Sequence, residues 1–248
     1  MVASRLVSDT VKPAVAGDAR KDRWSVHREL RRREFVDAAL RVLEAHGPEL
    51  PMDAVAAEAG VTKPVLYRYF SDKAALLRAI DERGSEILLD RLLPAINGSS
   101  PALARVRDAV GAYFAVIDEH PNLYWLARWT NTEAPGGDPI QRNKEFISIA
   151  LTAVIGDYLR IFGLDSGAAE PWAYGLTGLV QSTGEWWLQR RSMSRAHAVD
   201  YVTQLIWQAL SGVAREAGIT LDPDRPLPAV RPALTVHSSG RTPGNAAG

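Results

Sequence analysis

Lys63, Tyr67, Arg68 and Tyr69 lie within seven residues of one another, inside the stretch "GVTKPVLYRYFSDKAAL" that runs from Gly60 to Leu76. Long cationic and phenolic side chains at this spacing suit a phosphate-lined groove. Ammonium and guanidinium groups reach phosphate oxygens, and a tyrosine packs its ring on sugar or thymine methyl while its hydroxyl reaches a phosphate. Bond-making chemistry is poorly provided for. The five histidines (His27, His46, His120, His197, His237) show no HExxH spacing, there is no cysteine, and neither a Gly-rich phosphate loop nor a GxSxG elbow occurs. Asp118-Glu119-His120 is the one run with the look of a metal site, and such a run at a helix end is expected to be solvated. No catalytic residue, metal or cofactor is expected.

The elements that must hold those side chains are helices. Phe35, Ala38, Ala39, Val42 and Leu43 fall on one face of a helix from about Glu29 to His46, stopped by Gly47-Pro48. A short Ala-rich helix from Met52 to Ala59 ends at Gly60. A third runs from Lys63 to about Phe70, with Thr62 as its cap and Pro64 in its first turn, where a missing N–H costs nothing. Helix, glycine turn, helix is the helix-turn-helix arrangement. Val61, Val65 and Leu66 are available to hold the third helix down, which leaves Lys63, Tyr67, Arg68 and Tyr69 for the outside. Ser71 is expected to cap a fourth helix that Pro94 stops.

Here the sequence resembles a known family. Gly60, Val61, Thr62, Leu66, Tyr67, Phe70, Lys73 and Leu76 match the DNA-binding signature of the tetracycline-repressor (TetR) family of bacterial transcriptional regulators at its own spacing, and "FVDAALRVLEAHG" is similar to its first helix. The resemblance covers residues 30–76. It implies a homodimer with one recognition helix in each major-groove half-site of a palindromic operator, probed by Thr62, Lys63, Pro64, Tyr67 and Tyr69, with Lys73 on a phosphate. Two positions depart from the pattern: Tyr69 replaces the commoner His, and Pro51-Met52 stands where a Thr often opens the second helix. The resemblance also implies a small-molecule effector that moves the fourth helix and re-spaces the recognition helices, usually releasing a repressor.

The rest of the chain reads as helical too, at about 101–119, 121–131, 139–162, 169–191 and 195–217, which makes the protein all-α with about nine helices. Six of the seven tryptophans follow residue 84. Tyr113, Phe114, Ile117, Tyr124, Trp125 and Trp129 flank the Pro121 break, where diverging helices can leave an apolar cavity. Arg128, Asn131, Tyr174, Gln181 and Glu185 are candidates for its polar members, and a fatty-acyl compound, a lipid-like metabolite or an aromatic drug would fit such a lining. Gly175, Gly178 and Ser182 on one helix, with Leu179 and Trp186 beside them, and Tyr201, Leu205, Trp207, Leu210 and Val213 on the next, are expected to build a four-helix dimer interface.

The expected division is therefore a disordered basic arm (1–27), a helix-turn-helix DNA-binding domain (28–76), a ligand-binding and dimerisation domain (77–220) and a disordered tail (221–248). "RKDRWSVHRELRRR" (20–33) carries seven basic residues against Asp22 and Glu29, so Arg20, Lys21, Arg23 and Arg28 are candidates for the minor groove. Overall charge balances at 29 basic and 29 acidic side chains. No apolar run approaches the roughly 18 residues of a membrane span and no signal-peptide core opens the chain, so a cytoplasmic protein without a membrane partner is expected. The rival class, a helical adaptor that binds only protein, would have no use for Lys63, Tyr67 and Lys73 in this arrangement.

Overall fold

Apolar residues three and four apart dominate the chain between its Gly and Pro breaks, and the backbone takes the form that this period demands. The computed structural model describes residues 18–129 and 138–232, and no strand occurs among them. Among the described residues nine α-helices follow in order: α1 (Asp18–His46), α2 (Met52–Glu58), α3 (Lys63–Tyr67), α4 (Lys73–Asn97), α5 (Ala102–Glu119), α6 (Pro121–Trp129), α7 (Pro139–Ile161), α8 (Ala169–Arg190) and α9 (Arg195–Glu216).

Two cores form. In the first, Phe35, Val36, Ala39, Val42 and Leu43 of α1 meet Val55 and Ala56 of α2, Leu66 of α3, Phe70, and Leu76, Ala79 and Ile80 of α4. Gly60 allows the tight α2–α3 turn because its φ of 66° lies in the left-handed region that a Cβ disfavours. The second core gathers Leu88, Leu92, Leu93 and Ile96 of α4 with Val110, Phe114 and Ile117 of α5, Ile147 and Val154 of α7, Trp187 of α8, and Val199, Val202 and Ile206 of α9. Helix α4 thus belongs to both cores. So does the corner after α5: Leu123 and Leu126 of α6 pack into the first core, and Asn122 Nδ2 donates to the carbonyls of Leu43 (3.1 Å) and Glu44 (3.2 Å) at the end of α1.

Several boundaries differ from expectation, each for a local reason. Helix α1 begins at Asp18 rather than near Glu29, so residues 18–27 of the expected disordered arm are helical; residues 1–17 lie outside the described part. Asp72, not Ser71, caps α4: its Oδ1 accepts from Ala75 N at 2.7 Å while Ser71 Oγ donates to Oδ2. Thr62 occupies the cap position of α3 without a side-chain cap bond, so its hydroxyl stays on the surface. Pro94 does not stop α4, which continues to Asn97. Ile96 is buried in the second core, and its carbonyl accepts from Nε (2.7 Å) and Nη2 of Arg105, which holds the last turn closed.

The tail is also partly ordered. Ala102 N and Leu103 N, two donors that the start of α5 leaves without helical partners, donate to the carbonyls of Arg225 (3.0 Å) and Pro223 (3.2 Å). Residues 221–232 therefore form a strap across the α5 N-terminus, with Leu227 and Val230 turned toward the second core. The expected disorder of 233–248 falls outside the described residues.

Candidate functional site

Helix α3 is only five residues long, so its orientation is set by its neighbours. Leu66 and Phe70 anchor it in the first core, and Thr62, Lys63, Pro64, Tyr67 and Arg68 are left exposed, Tyr67 at 40%. Lys73 is exposed beside them. Lys63 Nζ donates to Asp53 Oδ2 of α2 at 3.0 Å, and that hydrogen bond, with the attraction of the same carboxylate, raises the lysine pKa. Lys73 Nζ donates to Glu49 O at 2.6 Å and braces the α1–α2 turn, with two further N–H donors available. Tyr69 differs from the rest. Its ring is half-buried, edge-on to Phe35 at 4.9 Å, because it closes the first core under α1. Five of the six expected DNA-facing residues thus share one open surface, and Tyr69 contributes to packing as well.

Of the expected minor-groove residues, Arg28 lies on α1 with its guanidinium 5.8 Å from the centre of the Trp24 ring. The side chains of Arg20, Lys21 and Arg23 lie outside the described residues.

The second feature is a cavity of about 270 Å³. Ala102, Val106, Val110, Tyr113, Ile117 and His120 line it from one end of α5 to the other. An 18-residue helix is about 27 Å long, so the cavity is an elongated channel rather than a globular pocket. Leu88, Leu92 and Ile96 of α4, Ile147, Leu151 and Val154 of α7, Leu176 and Val180 of α8, and Leu227 of the strap complete apolar walls. Polar groups sit toward the two ends: Arg105 Nη1 donates to Tyr158 Oη at 2.6 Å near the strap, and Asp81, His120, Tyr124, Asn143, Lys144 and Gln181 stand toward the first core.

Tyr113, Ile117, Tyr124 and Gln181 line this channel as expected; Phe114, Trp125, Arg128, Tyr174 and Glu185 do not, and Asn131 lies outside the described residues. Phe114 points away from it, fully buried against Trp187 with ring centres 5.6 Å apart. Trp125 packs edge-on to Tyr124, and Tyr174 is half-buried outside the lining. Arg128 and Glu185 form an ion pair at 3.3 Å, and Glu185 Oε2 accepts from the Tyr124 hydroxyl at 3.2 Å, so the pair braces a lining residue from behind. Burial first, and then the Glu185 charge, push the Tyr124 pKa up. Trp129 ends α6, and its side chain lies outside the described residues. Leu210, expected at a dimer interface, lines the channel instead. Sequence reasoning missed Asp81, Arg105, Tyr158 and Leu227; the apolar stripe of α5 was a readable signal of its length.

Asp118, Glu119 and His120 diverge to separate partners: Asp118 to Arg191 and Arg195, Glu119 to Arg91, and His120 to Glu44. No group of three or more potential metal ligands converges among the described residues. No helix among them is long and apolar enough to cross a membrane. On the outer face of α8 and α9, Trp186, Tyr201 and Leu205 are exposed, the last two at 61% and 56%.

Residues 35–80 match the family described as bacterial regulatory proteins, tetR family, and residues 91–220 match the tetracyclin repressor-like C-terminal domain. An uncharacterized HTH-type transcriptional regulator of Mycobacterium tuberculosis (strain ATCC 25618 / H37Rv) is 34% identical over 228 residues, covering 92% of this chain and 95% of that one. The HTH-type transcriptional activator FasR of Mycolicibacterium smegmatis is 29% identical, over 82% of this chain and 92% of its own. Among solved structures, a tetR-family transcriptional regulator from Streptomyces coelicolor superposes with a TM-score of 0.58 at 24% identity, over 76% of this chain and 83% of that chain.

Proposed function

The chain belongs to the TetR family of bacterial transcriptional regulators, and on that premise we propose that it binds a palindromic operator as a homodimer and leaves it when an elongated apolar ligand fills the α5 channel. Lys63, Thr62, Pro64 and Tyr67 of each subunit face one major-groove half-site, Tyr69 supports them through its packing on Phe35, and Lys73 holds a phosphate. The exposed Trp186, Tyr201 and Leu205 form the subunit contact on α8 and α9. Catalysis has no part in this reading, and the protein acts where the chromosome is, in the cytoplasm.

One observation carries the ligand half of the proposal: the channel is walled by the two elements that also enter the DNA-binding core. Helix α4 places Leu76 and Ile80 in that core and Leu88 and Leu92 against the channel; α6 places Leu123 and Leu126 in the core and Tyr124 at the channel. A ligand that spreads α4 from α5 shifts both anchors together, and the two recognition helices change their separation. Its effect on DNA equals its preference for one spacing over the other. Half of a bilayer's ~30 Å hydrocarbon core, about 15 Å, is the reach of one acyl chain. A fatty-acyl ligand therefore lies comfortably along α5. Release on binding makes the protein a repressor of any promoter that its operator overlaps.

Selection of genomic fragments by the full-length protein, against a Lys63→Ala/Tyr67→Ala double variant, tests the DNA half. An inverted repeat recovered by the native protein alone supports it, and equal recovery by both proteins refutes it. A long-chain acyl compound should then release that repeat from the native protein; release by short-chain analogues at equal concentration would refute the channel as the sensor.

A further inference from the structure

Asp81 is a misfit in its surroundings. It lies on α4, is only 8% exposed, and lines the channel, and its Oδ1 has no hydrogen-bond partner among the described residues. A buried carboxylate oxygen without a donor costs free energy that a chain with Leu at this position would not bear. Its position makes the cost informative. Ile80, the preceding residue, is fully buried in the DNA-binding core, and Ser85 and Leu88, one and two turns on, line the channel. Asp81 therefore stands where α4 passes from one core to the other.

The charges around it narrow what could satisfy it. Arg142 acts on it from α7 as a cation, while Glu82 beside it and Asp138 at the start of α7 act as anions. Lys144 and Asn143 of α7, Gln181 of α8, Tyr124 of α6 and His120 at the end of α5 complete that end of the channel. Glu82 and Arg142 are exposed and, with Asp138, stand outside the lining, so the like charge that a carboxylate entering here meets is Asp81 itself. An ammonium meets Lys144, which lines the same channel. A neutral donor meets neither penalty. We propose that the channel's ligand is an amphiphile whose apolar chain lies along α5 and whose uncharged polar end, a hydroxyl or an amide N–H, donates to Oδ1 of Asp81. The contact is made on the helix that carries the DNA-binding core, so it signals occupancy as well as selecting the ligand. Desolvation raises the pKa of this carboxyl to about 6, and a donated hydrogen bond draws it back toward the ordinary carboxylate range.

This inference rests on the channel being the ligand site, and the test separates the two. A fluorescent apolar dye is bound to the full-length protein at about pH 8, where free carboxylic acids are ionised, and displaced with a primary long-chain alcohol and with the carboxylate and ammonium of the same chain length. The native protein should bind the alcohol at least about tenfold tighter than either ion. Asp81→Leu should keep the dye and lose about tenfold in alcohol affinity, equivalent to 1.4 kcal/mol, and Asp81→Asn, which keeps an acceptor oxygen, should retain most of it. Unchanged alcohol affinity in Asp81→Leu, or native preference for the carboxylate, overturns the Asp81 assignment and leaves the channel standing. Failure of every amphiphile to displace the dye overturns both.

Discussion

Gly184 of α8 faces the channel wall so closely that a single methyl group should disable the sensor without unfolding the protein. A Cβ built there would lie 2.6 Å from Cε1 of Tyr113 and 3.0 Å from Cδ1 of Ile117, both on α5 and both lining the channel. In Gly184→Ala the tyrosine ring must retreat by close to 1 Å to reach an ordinary contact of 3.4 Å. Overpacking of this kind costs about 1–3 kcal/mol when the neighbours cannot move. Here the ring has open space on its far side, and Ala in a helix interior is favoured over Gly by about 0.8–1 kcal/mol. The two effects nearly cancel, so chemical denaturation should show a loss of about 1 kcal/mol or less, a shift of about 2–4 °C in Tm for a chain of this size. The displaced ring narrows the channel at mid-length, where a chain lying along α5 must pass, and long-chain ligand affinity should fall at least about tenfold. Operator binding without ligand should persist, because the first core is untouched. Ligand affinity equal to that of the native protein would refute the placement of the ligand along α5. A stability loss above about 3 kcal/mol with ligand binding intact would show the ring driven into packed side chains instead.

Three further outcomes are expected. Burial lifts the Asp81 carboxyl from its ordinary 3.8 to about 6, so the folded state holds a proton more tightly than the unfolded chain; stability from this group is complete below about pH 4 and is lost as pH rises through about 6, by at most about 3 kcal/mol, and urea titrations should show that component missing from Asp81→Asn. Leu205→Glu, placing a charge at a residue 56% exposed on α9, should yield a folded monomer by sedimentation, and a stable dimer would move the subunit contact elsewhere. Truncation after residue 220 removes the two carbonyls that accept from Ala102 N and Leu103 N, at about 0.5–1.5 kcal/mol each, together with Leu227; ligand dissociation should quicken while operator affinity is retained, and unchanged dissociation would remove the strap from the channel's wall.

Helical period, Gly and Pro breaks and the spaced signature from Gly60 to Leu76 were enough to place eight of the nine helix starts within about two residues and to assign Lys63, Thr62, Pro64 and Tyr67 to an open face. Such local signals depend on residues within a turn or two of each other, which is the range a linear reading covers. The exception is α1, whose first turns, "RKDRWSVHREL", hold Trp24, Val26 and Leu30 exposed among charged residues, and a segment with no apolar stripe turned to a core gives no period to read.

The channel was not legible in the same way. Aromatic residues near Pro121 drew attention, yet Phe114 and Trp125 went to packing, and Arg128 and Glu185 to a brace behind Tyr124. The working lining came from Val, Leu, Ile and Ala spread over α4, α5, α7, α8 and the strap. Side chains of this kind look alike in sequence whether they fill a core or wall a cavity, because hydrophobic burial is non-directional and reports only the loss of water. Asp81 shows the same limit from the other side: on its own helix it reads as one more charged residue. The sequence by itself determined a helical regulator and the exposed face of α3, through contacts local in the chain. Which apolar faces meet, where they fail to meet, and which carboxylate is left inside were decided by tertiary packing, since those depend on helices that are distant in sequence and adjacent only after folding.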